Sequence, residues 1–123
     1  MPELCSIDFE ERGDCLIARV SGEIDISNSE IVGKRLATKF DVADHYVIDL
    51  AETTHLDSAA IYLLFTLGEG LRTRRRTLSL VVPQTSPIRR VLQVTDVAAT
   101  IEVSAHLDDV ISRHCSDVSD ADP

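Results

Sequence analysis

The chain has 123 residues, the size of one ordinary domain, and its 12 Lys+Arg against 21 Asp+Glu give a formal charge of −9. That balance repels a nucleic-acid duplex or an anionic membrane, and with aromatics at 4% and no Trp there is little from which to build a base-stacking platform. Apolar residues at 44% and charged residues at 27% fit a folded soluble domain and not a disordered chain.

Met1 to Leu4 carry neither a basic nor an apolar stretch, so no secretory leader is expected. The segments Leu4 to Phe9 and Cys15 to Val20 each set apolar residues on one face, with the polar turn Glu10-Glu11-Arg12-Gly13-Asp14 between them. They predict an opening β-hairpin. Its register would set Cys5 opposite Arg19 or Val20, away from Cys15. With Cys115 the cysteines number three, at no metal-like spacing, and all are expected to be reduced, in keeping with a cytoplasmic protein.

Ser27 followed three residues later by Glu30 has the form of a capping box, and Ile31, Val32, Leu36 and Phe40 follow at helical spacing. A first helix is therefore predicted over Asn28 to Phe40. His45 to Leu50 reads as a third strand and Ala51 to Leu56 as a polar connection. A second helix begins at Asp57-Ser58, with Ala60, Leu63, Leu64, Leu67 and Leu71 as its apolar stripe. It ends in Arg72, Arg74, Arg75 and Arg76, cations that suit the negative end of a helix and read as a solvated helix end. The apolar run from Ala59 to Leu67 is far shorter than the ~20 residues a membrane span needs.

Leu78 to Val82 is nearly continuous in apolar residues, as in a strand buried on both faces. Ser86-Pro87 starts a third helix, Thr100 to Val103 forms a last strand, and Ser104 would cap a fourth helix carrying Leu107, Val110 and Ile111. Residues 1–115 are expected to form a single domain, and 116–123 a disordered acidic tail. The fold class is α/β, a mixed sheet opening with a hairpin, of about four to five strands and four helices. In such sheets, ligands and partners meet the loops at the carboxyl ends of the strands, here Ser21–Ser27, Ala51–Ser58 and Pro83–Ser86.

The Ala51–Ser58 stretch is the most informative. Ser58 falls at the N-terminus of a helix, where unpaired N–H groups and the positive dipole end favour an anion. Two readings stand: Asp57 or Ser58 merely caps the helix, or Ser58 carries a regulatory phosphate of charge about −1.5 to −2. Asp25, in the loop alongside, either shapes a partner surface or is a turn residue. His55, Asp57 and Ser58 are too close in sequence for a catalytic triad. His45, His55, His106 and His114 show no ligand-like spacing, and the scattered glycines form no phosphate loop. Neither metal nor cofactor is expected.

Gly22-Glu23-Ile24-Asp25 after the second strand, then Val47-Ile48-Asp49-Leu50, then Leu56-Asp57-Ser58-Ala59-Ala60-Ile61 resemble the STAS domain, and more narrowly the free-standing bacterial anti-sigma factor antagonists. The resemblance covers about residues 4 to 112. It implies that Ser58 is phosphorylated by an anti-sigma factor that is itself a serine kinase, and that a serine phosphatase resets it. It also implies a partner surface around Asp25, Asp57, Ser58, Ala59 and Ala60, with no catalysis and no direct nucleic-acid contact by this chain. Ala60 stands where the family usually has glycine. Other roles for such a domain are a scaffold or ligand- or nucleotide-sensing module that is not phosphorylated, or a soluble subunit of a transporter. The sequence does not say whether the chain forms a homodimer.

Overall fold

Residues 5–115 are described by the computed structural model; Leu4 and the expected tail at 116–123 lie outside them. The elements in chain order are β1 (Cys5–Arg12), β2 (Cys15–Ile24), α1 (Ser29–Ala37), β3 (His45–Asp49), β4 (Thr53–Leu56), α2 (Ser58–Thr73), β5 (Thr77–Val81), α3 (Arg89–Val94), a 3-10 turn at Val97–Ala99, β6 (Glu102–Ser104) and α4 (Leu107–His114). The sheet runs β1-β2-β3-β5-β6, with β4 pairing to β2. The β1–β2 pair is antiparallel and the others are parallel. The mixed sheet, the opening hairpin and the four helices are as expected; the sheet has six strands.

The extra strand is β4. Its sequence, Thr-Thr-His-Leu, reads as a polar connection, yet Thr53 and Leu56 are buried. The Thr53 hydroxyl donates to the Val20 carbonyl at 2.6 Å, so a polar side chain is satisfied inside the sheet. One edge of β2 thus pairs with β3 along Cys15–Arg19 and then with β4 from Gly22 onward. The register shifts at Gly22, whose φ of 99° favours glycine.

Four other local expectations are corrected. The hairpin turn is tighter than the polar stretch implied: Arg12 pairs with Cys15 across Gly13-Asp14, and Cys5 faces Gly22. The expected capping box does not form. Asn28 is the N-cap, and Ser27 instead turns back to the Asp25 carboxylate. Nor does Ser104 cap the fourth helix; it closes β6, and its hydroxyl accepts from Arg113 at 2.6 Å. The arginines after α2 are less solvated than expected. Arg74 and Arg76 reach Asp41, and Arg76 donates to the Ala43 carbonyl at 2.6 Å.

Alternation along the strands divides the sheet's contacts. Leu16, Ala18 and Val20 of β2, Tyr46 and Ile48 of β3 and Leu78 and Leu80 of β5 join the main core with α1, α2 and α3. The Tyr46 hydroxyl donates to the Leu36 carbonyl at 2.6 Å, and burial raises its phenol above the ordinary pKa. On the other face, Cys15, Ile17, Val47 and Val81 pack under Val110 of α4.

The cysteine reading is overturned on that face. Cys15 at the start of β2 and Cys115 just past α4 form a disulfide, with Cα atoms 5.1 Å apart and 100 residues of separation. Nothing local in the sequence pairs them; docking of α4 does. Closing so long a loop removes much denatured-state entropy. Reduction, or Cys115→Ser, should lower unfolding free energy by about 2–4 kcal/mol in urea titrations, and reduction should expose two additional thiols.

Beside the disulfide lies a polar cluster. His45 is buried, its Nδ1 bonded to Thr77 Oγ1 and its Nε2 to Ser79 Oγ at 2.8 Å. The His114 ring stacks on it at 3.9 Å between centroids. Ser79 and His114 each bond Glu102 Oε1 at 2.7 Å, and Arg113 holds the other carboxylate oxygen. Burial, with a smaller push from His114 against a pull from Glu102, brings the His45 pKa down to about 4. Burial raises the Glu102 pKa, but the bonds from Ser79, His114 and Arg113 outweigh it and bring the value to about 2.

Both groups therefore bind protons less readily folded than unfolded. The stability that His45 contributes is complete above its unfolded pKa of 6.5 and is lost as pH falls toward 4. The contribution of Glu102 is complete above 4.5 and is lost as pH falls toward 2. Urea unfolding at a series of pH values should show a slope of up to about 1.4 kcal/mol per unit between pH 6.5 and 4. His45→Gln should flatten that window.

Candidate functional site

The carboxyl ends of β2 and β4 bring two loops together in front of α2. Asp57 sits at their junction. Its Oδ1 accepts from the Ala60 amide at 3.0 Å, capping α2, and its Oδ2 accepts from the Ile26 amide at 2.9 Å. Its own amide donates to the Ile24 carbonyl at 3.4 Å. One side chain thus caps the helix and fastens the β2–α1 loop to it.

That loop is ordered from within. Asp25 Oδ1 accepts from both the amide and the hydroxyl of Ser27, at 2.9 and 2.5 Å. These bonds hold the Asp25 carboxyl below its ordinary pKa, with smaller help from His55 and the Asn28 amide. Asn28 Oδ1 accepts from the Asp25 amide at 2.9 Å, and its Nδ2 donates to the Glu23 carbonyl at 2.8 Å. Of the residues expected on one sheet edge, Asp25 and Asp57 are on adjoining loops and Ser58 opens α2 beside them.

Ser58 is the first helical residue of α2 and is exposed. Because Asp57 is the cap, the Ser58 hydroxyl is not needed for capping. The two expected candidates for that task are thereby separated. Ala59 is half-buried. Ala60 is 1% exposed and belongs to the main core, so its methyl group adds packing beneath the loop and nothing to the outer surface.

Sequence reading did not single out the apolar side chains around this serine. Ile26, beside Asp57, is 81% exposed, and Tyr62, one turn along α2 from Ser58, is 74% exposed. Ile31 on the first turn of α1 is also exposed. Tyr62 lies off the Ala60, Leu64, Leu67, Leu71 stripe by helical period, a signal that could have shown it as outward-facing. Exposed large apolar side chains are characteristic of interaction surfaces when they form a patch.

Comparison with known proteins identifies the fold. Residues 6–110 match the STAS domain model. An anti-sigma factor antagonist from Mycobacterium paratuberculosis has a similar structure, with a TM-score of 0.79 at 24% identity over 89% of this chain and 92% of that one. The antagonist SpoIIAA in its unphosphorylated form gives 0.69 at 18% identity over 88% and 95%. The Bacillus protein SpoIIAA in its phosphorylated form gives 0.62 at 17% identity over 88% and 98%. No curated protein matches by sequence. No helix among the described residues is long and apolar enough to cross a membrane.

Loss of the Asp57 carboxylate should loosen both loops at once. Asp57→Ala should cost about 1–2 kcal/mol in urea unfolding, with faster hydrogen exchange at the Ile26 and Ala60 amides. Asp57→Asn, which keeps one acceptor oxygen, should hold the Ala60 cap and lose the Ile26 bond, with a stability between those of the wild type and Asp57→Ala.

Proposed function

The chain belongs to the STAS domain family, and on that footing we propose that it acts as an anti-sigma factor antagonist switched by phosphorylation of Ser58. Unphosphorylated, the surface formed by Asp25, Asp57, Ser58 and Ala59, with Ile26 and Tyr62, binds an anti-sigma factor that is a serine kinase. The sigma factor is thereby released. Ala60 supports this surface from the core. The chain contributes binding and no catalysis; the kinase brings ATP, and a serine phosphatase restores the hydroxyl.

One observation carries this reading: Ser58 is exposed at the first position of α2 while its neighbour Asp57 does the capping. A hydroxyl placed this way can be modified without unmaking the cap. The helix N-terminus tolerates the added anion, so the fold persists. The partner meets a different surface. A dianion beside the carboxylates of Asp25 and Asp57, next to exposed Ile26 and Tyr62, would have to be desolvated on docking. An unpaired buried charge costs several kcal/mol, enough to change affinity by orders of magnitude.

The test is co-expression with a neighbouring anti-sigma kinase, addition of ATP, and measurement of intact mass together with complex formation. One phosphate mapped to Ser58, accompanied by dissociation, is expected. Ser58→Ala should stay bound in ATP, and Ser58→Glu should bind at least tenfold more weakly. Tyr62→Ala should weaken binding about tenfold with little change in unfolding free energy. Stable binding with no phosphate would make the chain a constitutive antagonist. Neither binding nor phosphate with a verified partner would favour the ligand-sensing module instead.

A further inference from the structure

We propose that His45, Glu102 and His114 form a binding site for a zinc-like divalent ion, on the α4 face of the sheet and away from the Ser58 loop. The three residues come from the start of β3, the start of β6 and the end of α4. One ligand atom from each lies within 4.8 Å of the other two. Two imidazoles and a carboxylate are a donor set suited to zinc and its neighbours, and leave a fourth position for water. Sequence spacing gave no hint of it, because the residues are 57 and 12 positions apart (45 to 102, 102 to 114) and meet only when α4 docks.

The surroundings are those that hold metal ligands in place. The Ser79 hydroxyl has one proton, which goes to the Glu102 carboxylate. His45 Nε2 then carries the proton donated to Ser79 Oγ, and His45 Nδ1 accepts from Thr77. Moving that proton to Nδ1 reverses the Thr77 bond, so that Nδ1–H donates to Thr77 Oγ1, and the Ser79 hydroxyl, 2.8 Å from Nε2, turns aside so that Nε2 presents its lone pair to the ion. No proton leaves the ring, and His114, whose Nε2–H donates to Glu102 Oε1, makes the same shift to Nδ1 to free Nε2. Ligating histidines are commonly fixed by such a partner on the other nitrogen, and Thr77 stands ready as one. Arg113 holds Glu102 Oε2 and leaves Oε1 to face the rings.

Access and movement are both provided for. His45 is buried, whereas the His114 and Glu102 side chains are each about one-third exposed, at 32% and 33%. Bonds of about 2.0–2.2 Å to zinc require the donors to approach to about 3.5 Å. The His114 ring, stacked on His45 at the last residue of α4, can swing to meet that demand. An ion there would tie β3 and β6 to α4, beside the disulfide that ties β2 to it.

The experiment uses the full, disulfide-intact chain, stripped with a chelator and titrated with Zn2+ alone by calorimetry and native mass spectrometry, with Co2+ as a spectroscopic probe. One ion per chain, a raised melting temperature, and a cobalt spectrum of nitrogen and oxygen ligands without a thiolate charge-transfer band are expected. His114→Ala, at a partly exposed helix end, should weaken binding at least a hundredfold while circular dichroism stays unchanged. Thr77→Val should weaken it about 10–100-fold, and His55→Ala with His106→Ala should leave it intact. Absence of a 1:1 complex, equal binding by His114→Ala, or a thiolate band would each overturn the site.

Discussion

The front of the molecule depends on one carboxylate shared between two amides. Asp57 caps α2 through Ala60 and holds the preceding loop through Ile26. A neutral cap could satisfy the helix, but only a side chain with two acceptors also fixes the loop that presents Asp25. The position of Ser58 follows from this, because a helix whose cap is one residue earlier sets its first hydroxyl outward. The geometry of the proposed switch is thus a consequence of how an ordinary helix end is satisfied.

Much of this was legible in sequence where the signal is local. Asp57-Ser58 before an apolar stripe marked the start of α2, and continuous apolar residues marked the buried strand at Leu78. The fold class followed from element order. What the sequence hid were pairings made only by tertiary contact. β4 hid because Thr53 buries a hydroxyl by donating to Val20, across the sheet. Cys15 and Cys115 hid because their spacing carries no signal, and Ser27 misled because Asp25 competes for its hydroxyl. At the site itself, Asp25 and Ser58 were readable from motif and position, whereas Ile26 and Tyr62 stood out only by their exposure in the folded chain.

The two faces of the sheet are held by different physics. The α1–α3 side is a broad apolar core, of side chains such as Leu64, Leu80 and Leu92 that are almost wholly buried. The α4 side has a small apolar cluster, a covalent bridge and a charged, hydrogen-bonded patch. A short amphipathic helix of eight residues cannot bury enough apolar surface to dock firmly alone. The bridge and the polar network supply what packing does not.

The disulfide also fixes where the chain leaves the described region. Cys115 is held at the start of β2, while the Ser58 loop adjoins the far end of that strand. The ten residues of β2 set roughly 30 Å between them. A surface tether or fluorophore added after Cys115 would therefore project from the end opposite the serine. Immobilised that way, the molecule would present the Asp25 and Ser58 loops to solution in one orientation.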